Sequence, residues 1–114
     1  MLIKKSQTNK VEVSKDMSFR EYELKTKEIG LAVTEINTRY PKEGFTMNKE
    51  CQELYYITEG TGEIFIDNQS FKLEEGDAFL IEKNKKYYLV GNNLKIVCPT
   101  VPAWTEEQHI NIRD

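Results

Sequence analysis

The sequence predicts an all-β domain, a sandwich or a barrel, on three observations. Apolar and aromatic residues come in short runs rather than at helical spacing. Turn-forming residues separate these runs at intervals of about 8 to 12 residues. No stretch longer than about ten residues keeps a helical period. The 114 residues are enough for one compact domain with its own core.

The elements follow in order. Phe19 to Leu24 alternates in part, and Leu31 to Ile36 sets Leu31 and Val33 on one face. Pro41 to Gly44 marks a turn. Leu54-Tyr-Tyr-Ile57 is aromatic and β-branched, which suits a pleated, half-buried surface. Glu59-Gly-Thr-Gly62 is read as the next turn. Ile64-Phe-Ile66 and Phe71-Lys-Leu73 flank Asp67-Asn-Gln-Ser70. Asp and Asn accept left-handed geometry, so this segment is a hairpin. Turns at Glu74 to Asp77, Lys83 to Lys85 and Gly91 to Asn93 separate Ala78 to Ile81, Tyr87 to Val90 and Leu94 to Cys98. Near the end, Thr105-Glu-Glu-Gln108 fits a capping box and one helical turn.

Composition narrows the function classes. Hydrophobic residues at 39% and charged residues at 31% give a globular balance. A net charge of −3 with no clustered basic face argues against nucleic acid as a partner. The longest apolar run, Ala78 to Ile81, is far short of the roughly 20 residues of a membrane span. The start MLIKKSQTNK has no apolar signal region. A cytoplasmic location is therefore expected, with Cys51 and Cys98 as reduced thiols. No phosphate loop, nucleophile elbow or Ser-His-Asp order is present.

From Gly44 to Gly91 the spacing resembles the cupin family, small single-domain members in particular. The first cupin motif runs Gly, His-x-His, then Glu three or four residues later, then Gly after six more. Glu53, Leu54 to Glu59 and Gly60 reproduce its second half. In the second motif Gly76 to Tyr87 keeps the spacing, with Glu82 at the proline, Asn84 at the glycine and Tyr87 at the histidine. Asn84 tolerates positive φ almost as glycine does. The tail PAWTEEQHI is also similar to the end of such domains. The resemblance implies an all-β double-stranded β-helix, the jelly-roll cupin barrel, over residues 1–114. N-terminal strands would occupy 1–40, core motifs 44–91 and a tail 99–114.

The same motif normally holds a metal ion, and here its histidines are replaced. With three intervening residues Met47 and Lys49 take their places; with four, Thr46 and Asn48 do. One bulge residue interconverts the registers. Neither offers imidazole, and a protonated ammonium has no lone pair to give. No metal and no cofactor is expected, although a set of Glu53, Cys51 and His109 can be drawn. The expected site is a polar cavity for a small organic molecule, with Met47, Lys49, Glu53, Tyr55, Tyr87 and His109 as candidate pocket residues. The alternative is a barrel closed by its own side chains. Period two places Tyr55 and Ile57 on the face of Glu53. A buried carboxylate needs a partner, and Lys49 and the Tyr87 hydroxyl are the candidates. His109, the sole histidine, lies in the tail, either solvent-facing or folded in.

Three function classes remain: a metal-free small-molecule-binding cupin, an isomerase or epimerase of a sugar derivative, and, least favoured, a metal-dependent dioxygenase. Leu54, Tyr56, Tyr88 and Val90 are expected to form an outward apolar face, buried by a homodimer or by the N-terminal strands.

Overall fold

The computed structural model describes residues 1–113 and is a jelly-roll barrel of ten strands. β1 (Lys10–Ser14), β2 (Met17–Tyr22) and β3 (Gly30–Ile36) lead to the short β4 (Arg39–Tyr40) and β5 (Phe45–Asn48). The long β6 (Gln52–Ile66) is followed by β7 (Gln69–Leu73) and β8 (Ala78–Ile81), then the long β9 (Tyr87–Val101) and β10 (His109–Ile112). Two 3₁₀ turns, Lys5–Gln7 and Glu106–Gln108, are the helical pieces.

β6 and β9 organise the barrel. They run antiparallel from Gln52 opposite Val101 to Ile66 opposite Tyr87. The Gln52 to Ile57 half of β6 pairs β8 on its other side, and the matching half of β9 pairs β3, to which β2 and β1 are added. The other half of β6 pairs β7, and the Tyr87 to Val90 end of β9 meets β4 and β5, with β10 beyond. Each long strand thus serves two sheets, and the space between them is the barrel interior.

The segments Glu59 to Gly62 and Gly91 to Asn93 correct the sequence reading. They do not reverse the chain. Both lie inside the long strands, where the register shifts between Ile57 and Thr61. Gly60 has φ +78°, and a Cβ there would collide with the Asn93 carbonyl oxygen. Glycine serves here to let two strands bend across one another from one sheet to the next. A real two-residue turn sits at Asp67-Asn68, both with positive φ, closing the β6–β7 hairpin at Ile66 opposite Gln69. Asn84 also has positive φ, 64°.

The bend divides the expected apolar face. Leu54 and Tyr56 belong to the first half of β6, Tyr88 and Val90 to the first half of β9, so they stand on different sheets. Tyr88 is half covered by Phe65, stacked at 4.4 Å, and by the Arg39 guanidinium at 4.0 Å. β1 and β2 extend the sheet beyond β3 instead of lying across it, so Leu54 and Tyr56 stay exposed. The four residues therefore do not make one continuous outward face.

Inward residues of both long strands make the core. Ile57, Ile64, Leu89, Leu94 and Ile96 are buried with Ile36 and Ile81. Each such side chain is worth about 1.5 to 3 kcal/mol over its exposed state. The tail closes one end: His109 to Ile112 pairs antiparallel with Phe45 to Asn48. Thr105 makes no side-chain cap to the 3₁₀ turn, which corrects the capping-box reading. Gln108 is buried instead, and backbone N–H groups of Glu50 and Cys51, between β5 and β6, claim its amide oxygen.

Candidate functional site

A cavity of about 560 Å³ lies inside the barrel. Its deep wall is apolar, from Ile36, Leu89 and Ile96. Polar groups converge from three strands and the tail: Glu53 and Tyr55 of β6, Tyr87 of β9, Tyr40 of β4 and His109 at the start of β10. The loop from Glu23 to Ile29 and the Ala103-Trp104 segment line the space as well.

Strand parity brings Glu53 and Tyr55 to this wall, two residues apart on one face. Burial pushes the Glu53 carboxyl up to about 7, against a smaller lowering by the Asn48 amide, whose Nδ2 donates to Glu53 Oε1 at 3.3 Å. The group is therefore poised to hold or release a proton near neutrality. Tyr55 and Tyr87 meet edge to face, and their hydroxyls are 3.4 Å apart. Burial raises both phenols well above their ordinary value, so they remain neutral hydroxyls. The expected Glu53–Tyr87 bond is thus replaced by two pairs, Glu53 with Asn48 and Tyr87 with Tyr55. Asn48, buried at the end of β5, is the donor that reaches the carboxylate.

The register left open by the sequence is answered at β5. Thr46 and Asn48 are buried and point inward. Met47 consequently turns to the other face, half-buried, and Lys49 lies past the strand end with its side chain exposed. Neither lines the cavity, which corrects their placement as pocket residues and removes Lys49 as a partner for Glu53. His109 does reach the cavity. Its ring is held by Asn48 Oδ1 at Nδ1 and by the Tyr40 and Thr46 hydroxyls at Nε2, each at 2.8 Å, with Trp104 packed against it. Burial lowers its pKa.

Tyr40 is the wall residue that sequence reasoning missed. It lies on a two-residue strand before Pro41, with no periodicity to place it. Gln108 was noticed only as a capping residue. Its neighbours in space, Glu50 and Cys51, are far off in sequence.

The donor set does not fit the family's histidine-held metal. Thr46 and Asn48 offer a hydroxyl and an amide, poor donors for borderline ions. Cys51 is fully buried and does not line the cavity, so it cannot join Glu53 and His109 there. Among the described residues no three His, Cys, Asp or Glu side chains are placed to hold a metal ion.

Comparison with known proteins agrees with the fold. The profile of the cupin domain family matches residues 40–96. An uncharacterized protein of Methanocaldococcus jannaschii is 36% identical over 59 residues, covering 49% of this chain and 47% of that protein. The matched segment spans about half the length of that relative. Among solved structures, the nucleoside dehydratase Pac13 from Streptomyces superposes with a TM-score of 0.83 at 13% identity, over 95% of this chain and 87% of that one. KdgF from Halomonas sp. gives 0.76 at 12% identity over 94% and 97%. Ectoine synthase from P. lautus gives 0.68 at 22% identity over 90% and 80%.

Proposed function

Because this chain belongs to the cupin domain family, we propose that its barrel is a small-molecule site that works without a metal ion, with Glu53 as the group that exchanges a proton with the bound molecule. The observation that carries this is a carboxyl raised to about 7 on the wall of a 560 Å³ cavity, with one amide as its donor. An open polar wall of this kind suits a ligand better than a closed core.

Charge narrows the ligand class. The cavity and its mouth carry Glu21, Glu23, Glu53 and Glu106 against Lys25 as the one lysine or arginine among the described lining residues. A phosphate or carboxylate would meet like charge. A neutral molecule bearing hydroxyl or amide groups fits the tyrosine hydroxyls and the ring of Trp104. Uridine, bound in the Streptomyces nucleoside dehydratase variants, is of that chemistry. Proton exchange beside two neutral phenols also suits isomerisation of a neutral sugar derivative, the second reading.

Thermal shift against paired nucleosides and nucleotides, and paired sugars and sugar phosphates, tests the proposal. Neutral members should raise Tm and their phosphorylated partners should not. Preference for the phosphorylated forms would overturn the ligand class. Stoichiometric zinc, iron, nickel or manganese that is lost in Glu53→Ala would overturn the metal-free reading.

A further inference from the structure

The hydrogen bonds around His109 form a directed chain. The N–H groups of Glu50 and Cys51 both donate to Gln108 Oε1, at 3.0 and 3.3 Å. A backbone N–H can only donate, so this atom is the amide oxygen, and Gln108 Nε2 is the donor on the other side. It donates to Asn48 Oδ1 at 2.9 Å and to the Thr105 carbonyl at 3.3 Å. Asn48 is thereby oriented as well, with Nδ2 toward Glu53 and Oδ1 toward Gln108 and His109. A carbonyl oxygen only accepts, so the His109 nitrogen 2.8 Å away, Nδ1, carries the proton. A neutral imidazole has one N–H, and Nε2 is left as an acceptor. Thr46 Oγ1 has one proton to share between the Ile110 carbonyl at 3.0 Å and Nε2 at 2.8 Å, and with that proton on the carbonyl it leaves the ring nitrogen to Tyr40. The Tyr40 hydroxyl, 2.8 Å from Nε2, is in that arrangement the donor to the ring, and Tyr40 lines the cavity in which a bound molecule would meet it.

We propose that Gln108 and Asn48 are positioning residues that lock His109 in its Nδ1–H tautomer, and that this lock makes the Tyr40 hydroxyl a second proton-transfer group of the cavity beside Glu53. The step balances within the chain. A ligand proton passes to the Tyr40 oxygen as the Tyr40 proton passes to His109 Nε2. The ligand–hydrogen and Tyr40 O–H bonds break, and a new Tyr40 O–H bond and an Nε2–H bond form. The resulting imidazolium keeps its Nδ1–H on Asn48 Oδ1. Running the step backward returns the proton. The lowered pKa of His109 agrees with a ring that is neutral at rest. Tyr40 of β4 and, through Asn48, Glu53 of β6 are its titratable neighbours; Glu106 lines the same cavity, and β5 offers only Thr46 and Asn48.

The relay rests on the cavity being a ligand site, but the lock can be tested without a ligand. His109 is the sole histidine of the chain, so long-range ¹H–¹⁵N spectra of uniformly labelled protein report one ring. The expected result at pH 7.5, about one unit above the ordinary histidine value, is a protonated Nδ1 and a bare Nε2. In Gln108→Glu the carboxylate still accepts from both backbone N–H groups but cannot donate to Asn48. The Asn48 amide should turn over, and the ring should switch to the Nε2–H tautomer. In Tyr40→Phe the tautomer should stay while the Nε2 resonance shifts, its phenol donor gone; this conservative variant also serves if Gln108→Glu fails to fold. A wild-type ring protonated at Nε2, or a Gln108→Glu ring that folds and keeps its tautomer, overturns the lock. An Nε2 resonance unmoved in Tyr40→Phe overturns the relay. None of these outcomes depends on whether neutral nucleosides or sugars raise Tm.

Discussion

The two ends of the barrel interior are built from the same strands and do opposite things. On β6, Glu53 and Tyr55 face the cavity, and Ile57, the next inward residue, is fully buried among Ile64, Leu94 and Ile96. On β9, Tyr87 lines the polar wall, and Leu89, two residues on, belongs to the cavity's apolar deep wall and packs with the core. The closed end is apolar and holds the sheets together by burial. The open end is a chain of hydrogen bonds from Tyr40 through His109 and Asn48 to Glu53. Among the described residues no buried side-chain polar atom lacks a partner, so this end is satisfied as well as polar. The difference shows that a strand changes from scaffold to site within two residues. Stability and chemistry should therefore separate under mutation.

The largest effect is expected at the closed end. Ile64 is fully buried, and Ile64→Ala should cost about 2 to 5 kcal/mol in urea unfolding, from lost burial and the space left behind. The titration of Glu53, followed by carboxyl ¹³C shifts, should stay near 7. A Glu53 titration that moves with the core mutation would show that the two ends are not independent.

The next effect belongs to the open end and depends on pH. Glu53 titrates at about 7 in the fold against an ordinary 4.5. The folded state therefore binds this proton more tightly than the unfolded state. The associated stability is fully present below about pH 4.5 and is lost as pH rises through 7. A shift of that size corresponds to about 3 kcal/mol. Glu53→Gln should match the parent near pH 4 and be the more stable protein at pH 8. His109, whose pKa is lowered, has the opposite slope, losing stability as pH falls, so the two variants must be compared at each pH. A Glu53→Gln protein whose stability curve runs parallel to the parent from pH 4 to 8 would mean that Glu53 is not held in its neutral form by burial.

Sequence legibility follows the same division. Aromatic and β-branched runs such as Leu54 to Ile57 identify strands because neighbours on one strand share a fixed alternation. Asp67-Asn68 identifies its hairpin because left-handed geometry is local. Gly60 and Gly91 misled because a glycine that permits a bend looks, in sequence, like one that permits a reversal. At the site, parity alone puts Glu53 and Tyr55 on one face. The choice between Met47 with Lys49 and Thr46 with Asn48 was beyond local rules, since a single extra residue exchanges them. Tyr40 and Gln108 were beyond them for another reason. Tyr40 is placed by pairing with Leu89 and Gln108 by the N–H groups of Glu50 and Cys51, contacts that no local pattern records.

The smallest effect discriminates most finely within the open end. Motif spacing makes Tyr87 the donor to Glu53, and on that basis Tyr87→Phe leaves a buried acceptor short of a partner, at about 1 to 3 kcal/mol. The geometry assigns that donor to Asn48 and pairs Tyr87 with Tyr55 across a long 3.4 Å contact. Tyr87→Phe should then cost only about 0.5 to 1 kcal/mol, the net worth of an ordinary hydrogen bond. The ring stays packed, and the Tyr55 hydroxyl still faces a cavity with room for water. The Glu53 titration should hardly move. Asn48→Leu should raise it further, because the Asn48 amide is the group that lowers it. Carboxyl ¹³C titrations of the two variants decide the matter. A Glu53 that moves in Tyr87→Phe and stays put in Asn48→Leu would restore the tyrosine as its partner and dissolve the chain from Tyr40 to Glu53 at its last link.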